Sequence, residues 1–175
     1  MKKEINAFDY AGTICNALAK GILLTTKKDN YVNTMTIGWG KIGVEWNKPV
    51  FIAYVRESRY SKEFLESNPE FTVNVPMDTA DSKILRYCGS KSGRHIDKVK
   101  ELNLTLEEPN CVSVPGIKEF PLTLECRVIY KQYQDPASMP QSVIDRFYPE
   151  TGTDAGCDIH IAYYGEIVDA YLIEG

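Results

Sequence analysis

The stretch Asn33-Thr34-Met35-Thr36-Ile37-Gly38-Trp39-Gly40 places small polar side chains in a predicted strand that ends in an aromatic residue between two glycines. β-Branched residues favour an extended chain, and glycine lets a flat ring approach the backbone closely. Trp39 offers a surface on which such a ring can stack. The pattern predicts a strand that meets a ligand at its end; an ordinary strand of alternating threonine and apolar residues is the alternative.

Strand-like runs surround this stretch on both sides. Residues 22–26 and 31–39 are predicted to form a hairpin around the polar turn 27–30. Residues 50–55, 71–75, 122–133 and 159–172 are rich in β-branched and aromatic side chains and predict further strands. The pattern therefore predicts five to seven strands.

Short helices are predicted between the strands. The first is expected to begin at an Asp9 cap, to end at Gly21, and to bury one apolar face made of Ala11, Ile14, Cys15 and Leu18. Residues 61–67, 81–86 and 96–102 are long enough only for short helices. Residues 135–158, which contain three prolines and two glycines, predict an irregular surface excursion.

The strands do not alternate with long crossover helices, and no G-x-G-x-x-G motif follows a strand. Both features are expected of a doubly wound parallel sheet. The sequence therefore predicts a mainly β fold with short helices (α+β), in which the strands form an antiparallel, Greek-key-like barrel.

Length and composition limit the classes of protein that fit. The 175 residues, 43% hydrophobic and 25% charged, predict a single domain spanning residues 1–175. The net charge of −4 argues against a nucleic-acid partner. There is no apolar run of roughly 18 residues, and the first six residues lack the apolar stretch of a signal peptide. We therefore expect a cytoplasmic protein without a membrane partner.

Cysteine and histidine usage disfavours metal or disulfide chemistry. The five cysteines are odd in number and never form a C-x-x-C pair, and only His95 and His160 are present. A disulfide framework, a zinc ribbon and a multi-histidine metal site are therefore not expected, so the predicted metal content is none. Any redox chemistry would need an organic cofactor.

Two further segments have features of an anion site. Arg56-Glu57-Ser58-Arg59-Tyr60-Ser61 joins a strand to a short helix, where free backbone N–H groups favour phosphate. The alternative is that a serine caps the helix while both arginines face solvent. Gly89-Ser90-Lys91-Ser92-Gly93-Arg94 is a glycine-rich basic loop that departs from the Walker A pattern. It can hold one phosphate group or be a solvated turn.

Together these segments resemble the flavin reductase-like, FMN-binding split-barrel family, and within it the flavoredoxin branch. The resemblance rests on N-x-M-T-I-G-W at residues 33–39, R-x-S-R-Y-S at 56–61, F-T-V-N-V-P at 71–76 and S-G-R-x-x-D-K at 92–98. It covers most of the chain. The fold it implies is a split β-barrel, and the cofactor it implies is FMN.

The resemblance also implies roles for individual residues. The residues expected to line the isoalloxazine ring and the ribityl chain are Asn33, Thr34, Met35, Thr36, Gly38 and Trp39. Those expected to approach the phosphate are Arg56, Ser58, Tyr60 and Ser61, and those that complete the anion site or its adjoining wall are Lys91, Ser92, Gly93 and Lys98. Members of the family are typically homodimers, so Tyr163 or Tyr164 is either a ring contact from the second chain or a plain strand residue.

The implied function is that of an FMN-binding oxidoreductase, either a flavin reductase that uses NADH or NADPH or a flavoredoxin-like carrier with a redox protein partner. A flavin itself accepts a hydride and passes electrons on, so no catalytic residue is assigned, and neither histidine is named as an acid or base. A non-catalytic FMN-binding or flavin-storage module is the main alternative. An enzyme resembling pyridoxamine-phosphate oxidase is a third.

Overall fold

The computed structural model describes residues 1–77, 82–149 and 158–174. Its strands are β1 (Lys2–Glu4), β2 (Ile22–Lys28), β3 (Tyr31–Ile37), β4 (Gly40–Glu45), β5 (Lys48–Arg56), β6 (Glu70–Val75), β7 (Leu106–Glu107), β8 (Gly116–Ile117), β9 (Leu122–Tyr133) and β10 (His160–Ile173). Its α-helices are α1 (Ala11–Leu18), α2 (Tyr60–Ser67), α3 (Ser82–Ser90), α4 (Lys98–Glu101) and α5 (Gln141–Phe147). Two 3₁₀ turns, Ala7–Tyr10 and Pro136–Ser138, complete the elements.

Eight strands form one antiparallel sheet in the order β3-β2-β6-β9-β10-β5-β4, with β1 added to β10. Strand β10 is central: it pairs with β9 on one side and with β5 on the other. The order departs from chain order where β6 lies between β2 and β9 and where β10 lies between β9 and β5. The predicted mainly β, antiparallel class with short helices is confirmed.

Backbone geometry explains where the chain turns. Gly21 has a φ of 108°, as predicted for the residue that ends the first helix. Trp46 and Asn47 have φ values of 49° and 58° and form the two-residue turn between β4 and β5. Two consecutive positive φ values match the right-handed twist of the strands that a tight hairpin joins.

The main core lies on one face of this sheet. Phe51, Phe71 and Tyr163 are among its fully buried side chains, and Ile14 and Leu18 of α1 pack into the same cluster. A second cluster joins Leu23 to helix α3 and to Phe120. Among the described helices, none is long and apolar enough to span a bilayer.

The structure corrects several local predictions. Helix α1 has Tyr10 as its N-cap, and Asp9 lies inside the preceding 3₁₀ turn, which Asn6 caps. Cys15 is exposed rather than on the buried face. Strand β4 was not expected, because Gly40 and Gly43 break its β pattern.

Other predicted bounds also need comment. The helix expected at 96–102 is a single turn that begins after the Asp97 cap. The predicted start at Asp81, residue Cys157 and part of the 135–158 excursion lie outside the described residues. The structure has ten strands rather than five to seven in the part that it describes.

Gly165→Ala is expected to destabilise the fold, because an added Cβ at this position in β10 would lie 2.7 Å from Phe71 Cε1 and 2.8 Å from Cys126 Cβ. Overpacking of this kind costs about 1–3 kcal/mol. The matched control is Gly43→Ala, where a Cβ meets nothing within 4 Å. Urea unfolding of both variants tests the difference, and equal midpoints would contradict the close packing of β10.

Candidate functional site

Two adjoining cavities form one groove between the end of β3 and the loops that follow α3 and β5. One has a volume of about 150 Å³ and the other about 180 Å³, and both are lined by Met35, Thr36 and Arg59. Together they reach the lower end of the range for small-molecule sites, roughly 300 to 1,000 Å³. We call the two halves the basic end and the aromatic end.

The basic end is built by β3, the start of α2, the end of α3 and the first residue of α4. Its lining consists of Asn33, Met35, Thr36, Ser58, Arg59, Tyr60, Ser61, Cys88, Gly89, Lys91, Ser92, Gly93 and Lys98. The three segments that the sequence singled out therefore meet here, although they are separated along the chain. Convergence of polar side chains and loop backbone on one cavity is what a polar ligand group requires.

Lys98 is the most unusual residue of the basic end. Its side chain is 3% exposed, and its ammonium donates to the carbonyls of Cys88 and Lys91 at 3.3 and 3.2 Å. An ammonium has three donors, so one remains for the cavity. Burial lowers the pKa of Lys98; the Cys88 thiol opposes this change, and the charge of Arg59 adds to it.

Among the described residues, no carboxylate balances this charge. Within residues 1–77, 82–149 and 158–174, no ion pair involves Lys98, Arg59 or Lys91. A buried cation without a partner is costly. The basic end therefore has the electrostatics of a site for an anion.

Close packing shapes the wall of the basic end. The Asn33 amide donates to Ser61 Oγ at 2.9 Å. An added Cβ on Gly93 would lie 3.0 Å from Asn33 Cγ and 3.1 Å from the Tyr60 ring. Position 93 therefore needs a glycine, because any larger side chain would collide with Asn33 of β3. The predicted alternative of a serine cap does not occur, because the α2 N-cap is Arg59 and no side chain caps it.

The aromatic end is lined by Met35, Thr36, Ile37, Gly38, Trp39, Tyr54, Arg56, Arg59 and His160. Trp39 is 41% exposed, so it is not a core residue. Its ring lies 4.8 Å from that of His160 and 5.2 Å, edge-on, from that of Phe147. This wall presents a stacking surface to a flat ligand.

Arg56 and Ser58 are placed differently from the expectation that they approach a phosphate. The Arg56 guanidinium donates to the carbonyls of Phe147 and Asp158 at 2.7 and 2.9 Å, and it lines the aromatic end rather than the basic end. Ser58 lines the basic end, but its hydroxyl donates to Asp158 Oδ2 at 2.7 Å. Arg59, which the sequence analysis did not assign, is the arginine that lines the basic end.

Thr34 is the predicted site residue whose side chain does not reach the groove. It is fully buried, and its hydroxyl lies 3.1 Å from that of Thr25 and donates to the carbonyl of Leu24. The prediction for this side chain is corrected: Thr34 belongs to the polar interior between β2 and β3. The other predicted residues of the three segments line one of the two cavities.

Sequence reasoning missed some groove residues for identifiable reasons. Tyr54 and His160 lie on neighbouring strands, β5 and β10, where Ala162 pairs with Tyr54 and His160 with Arg56. This register could not be read from spacing. Cys88 and Gly89 lie in the last turn of α3. Gly89 begins the predicted basic loop, but neither residue was assigned a role from the sequence.

The 135–158 excursion does more than cover a surface. Its described part carries Phe147 and Tyr148, and Tyr148 is 4% exposed. The guanidinium of Arg56 lies 5.1 Å from the centre of the Tyr148 ring. This segment therefore packs behind Trp39, Arg56 and His160, which line the aromatic end.

Tyr163 and Tyr164 differ in what they can contact. Tyr163 is 1% exposed and donates to Glu66 at 2.9 Å, so it is a plain interior residue and not a contact for a second chain. Tyr164 lies partly exposed on the opposite face, with its ring 4.9 Å from that of Tyr130. Only Tyr164 keeps the role that the sequence left open.

One cluster outside the groove has the composition of a metal site. Single ligand atoms of Cys111, Glu125 and Asp169 lie within 4.8 Å of one another. The Glu125 carboxylate, however, accepts backbone N–H bonds from residues 110, 111 and 112 at 2.6–3.1 Å. The buried Glu125 carboxylate therefore holds the loop at residues 110–112 in place, which explains its position without a metal ion.

The fold and the groove define a class: an antiparallel β protein with a groove that is basic at one end and aromatic at the other, as suits a phosphorylated flat ligand. Comparison with known proteins identifies the family. Residues 17–175 match the family model described as flavin reductase like domain. The chain belongs to the flavin reductase like family.

Solved structures agree with this assignment. Flavoredoxin from Methanosarcina acetivorans is 28% identical, with 88% of this chain and 68% of that chain covered and a TM-score of 0.66. An FMN-binding domain of flavin reductases-like enzyme from Shewanella baltica is 15% identical, with 98% of this chain and 77% of that chain covered and a TM-score of 0.65. The resemblance to the family and the split-barrel fold are confirmed.

A curated sequence relative covers less of the chain. An uncharacterised protein of Archaeoglobus fulgidus is 33% identical over 97 residues, which are 55% of this chain and 54% of that protein. The chain thus matches about half the length of this relative.

The titration of His160 generates a prediction about stability. Burial, then the charge of Arg56, lowers the pKa of His160 from 6.5 to about 4, while Asp158 acts in the opposite direction. The unfolded chain therefore binds more protons between these two pH values, and stability falls as pH falls through this window. At about 1.4 kcal/mol per pKa unit, we expect a loss approaching about 3 kcal/mol.

Urea unfolding from pH 7 to pH 4 measures this loss. His160→Gln should flatten the pH dependence, whereas the control His95→Gln, which changes an exposed side chain, should leave it unchanged. A pH profile that is the same in the wild type and His160→Gln would contradict a buried neutral His160.

Proposed function

We propose that this protein binds FMN in the groove and serves in flavin-dependent electron transfer, as a flavin reductase or a flavoredoxin-like carrier. One observation carries the proposal: the buried ammonium of Lys98 faces a cavity that Arg59 also lines and that no described carboxylate neutralises. The cavity adjoins an aromatic wall formed by Trp39. A phosphate monoester attached to a flat ring satisfies both ends at once.

The residues present fit FMN, and their roles follow from position. Lys98 and Arg59, with Lys91 at the rim, would hold the phosphate. Met35 and Thr36 line both ends and Asn33 lines the basic end, so these three residues would contact the ribityl chain.

Trp39 would lie against the ring and limit its contact with water. When bound, FMN supplies the hydride and electron chemistry, so the chain needs to bind, orient and shield it. His160, neutral above pH 5, would not donate a proton in this process.

The electron donor is the finer part of the proposal. A flavin reductase would take electrons from NADH or NADPH, whereas a flavoredoxin-like carrier would take them from a protein donor. Steady oxidation of NADH or NADPH in the presence of FMN would favour the first. Reduction only by a protein donor would favour the second, and FMN binding without turnover by any donor would favour a storage module.

Lys98→Met is the variant that tests the phosphate assignment. It removes a buried charge, which is stabilising, but it also removes the donor to the carbonyls of Cys88 and Lys91. These two effects oppose each other, so the stability of the apoprotein should change little. FMN affinity should fall at least about tenfold, in line with roughly 1.5–3 kcal/mol for a hydrogen bond to a charged group. Riboflavin, which lacks the phosphate, should bind the variant and the wild type alike.

Fluorescence titration and urea unfolding measure the two effects. Lys100→Met is the matched control, because Lys100 is exposed on the same helix. An equal loss of affinity for FMN and riboflavin would remove Lys98 from the phosphate site.

We also propose a homodimer formed through an aromatic strip, defined as Trp46, Tyr130 and Tyr164. Trp46 is 61% exposed and Tyr130 41% exposed, and their rings lie 5.9 Å apart. The strip lies on the sheet face opposite the core, and Tyr54 on the same face leads to His160 at the aromatic end. Exposed aromatic surface of this kind is typical of protein interfaces.

Light scattering at micromolar concentration should give twice the 19.8 kDa mass of the chain. Tyr130→Lys should yield monomers, because it places a charge within the proposed interface. The control is Tyr133→Lys: this side chain is 44% exposed, but it lies three residues along β9 and therefore on the other face. A wild-type monomer with FMN bound would contradict the proposal.

A further inference from the structure

A chain of three polar side chains ends at the groove. Tyr148 donates its hydroxyl proton to Gln134 Oε1 at 2.8 Å, and the same hydroxyl oxygen lies 2.8 Å from His160 Nδ1. Gln134 directly follows β9, and His160 is the first residue of β10. Tyr148, in the segment between these strands, thus links the residue after β9 to the first residue of β10.

Counting protons gives the tautomer of His160. A tyrosine hydroxyl has one proton and can also accept. Because Tyr148 gives that proton to Gln134, its oxygen must accept from His160, and Nδ1 must carry the imidazole proton. A neutral imidazole has only one N–H, so Nε2 is left as an unprotonated acceptor.

The surroundings hold this arrangement in place. Tyr148 is 4% exposed, and the Arg56 guanidinium lies over its ring and donates to the carbonyls of Phe147 and Asp158. The His160 ring is fixed from the other side by Trp39.

The other ring nitrogen is available to a ligand. His160 lines the aromatic end of the groove, and in the described chain Nε2 has no hydrogen-bond partner. Among the described residues, the Tyr171 hydroxyl is the one fully enclosed side-chain polar atom without a partner. Nε2, which also lacks a partner, is therefore not fully enclosed. Nε2 therefore retains access to the cavity.

We propose that His160 binds the groove ligand by accepting a hydrogen bond at Nε2 from an amide-type N–H, with Tyr148 and Gln134 as its positioning residues. This rests on the proposed function, because a flat ligand that reaches the aromatic end from a phosphate at the basic end is a flavin. Two sources supply such an N–H: the imide edge of the flavin ring, or the carboxamide of a nicotinamide bound beside it.

Nitrogen NMR of ¹⁵N-labelled protein tests the tautomer directly. The chain has two histidines, so His95→Gln leaves a single imidazole whose two nitrogens are distinguished by long-range proton correlations. At pH 7 we expect a protonated Nδ1 and a bare Nε2. A protonated Nε2 would show that Tyr148 donates to His160 instead, and it would overturn the proposal.

Two variants in the His95→Gln background separate positioning from folding. Tyr148→Phe keeps the ring but removes the hydroxyl, so the imidazole proton should be shared between Nδ1 and Nε2. The urea unfolding midpoint checks that this variant is folded. Gln134→Glu offers an acceptor without a donor, so it should retain the Nδ1–H tautomer. Retention of that tautomer in Tyr148→Phe would contradict the role of Tyr148.

Ligand addition identifies the donor. If the flavin imide is the donor, FMN alone should shift the Nε2 resonance upfield; if a nicotinamide is the donor, the shift should appear only when NAD⁺ is added to the FMN complex. FMN binding, measured by its absorption bands, reports on the proposed function separately. Normal FMN binding with Nε2 unmoved by either ligand would overturn the inference alone.

Discussion

Strand β10 pairs with β5 and β9 along its two edges, and this double pairing places the parts of the groove. His160 lies opposite Arg56 in the ladder with β5, so the end of β5 and the start of β10 emerge side by side. The chain that enters α2 from β5 and the segment that enters β10 must therefore meet. Gly165, where the β9 ladder shifts register, packs against Phe71 and lets the strand stay close to its neighbours.

The groove that results has unlike ends. The basic end buries Lys98 against backbone carbonyls. A buried cation without an ion-pair partner lowers the stability of the empty protein. A bound anion would remove this cost. The aromatic end is held by contacts among Trp39, His160 and Phe147. Recognition of a phosphorylated ring requires a rigid distance between these ends, and β3 supplies it by contributing residues to both.

Much of this could be predicted from local sequence, and the exceptions have physical causes. The polar run before Trp39 and the glycine-rich loop were recognisable because ligand-facing segments need small, flexible or charged residues. The orientation of each side chain was not recognisable: Thr34 differs from its neighbours by facing the interior, which depends on pairing with Thr25. Arg56 and Arg59 carry the same side chain, so the sequence does not tell which of them faces the basic end. The guanidinium of Arg56 instead donates to the carbonyls of Asp158 and Phe147, which are distant in sequence.

We expect the unbalanced positive charge at the basic end to bind the phosphate of FMN while the ring reaches Trp39. A crystal structure of the protein grown with FMN would show both contacts. The phosphate should lie within hydrogen-bonding distance of Lys98 Nζ and the Arg59 guanidinium, with the isoalloxazine ring against Trp39. A flavin whose phosphate lies outside the cavity lined by Lys98, or whose ring lies away from Trp39, would contradict it.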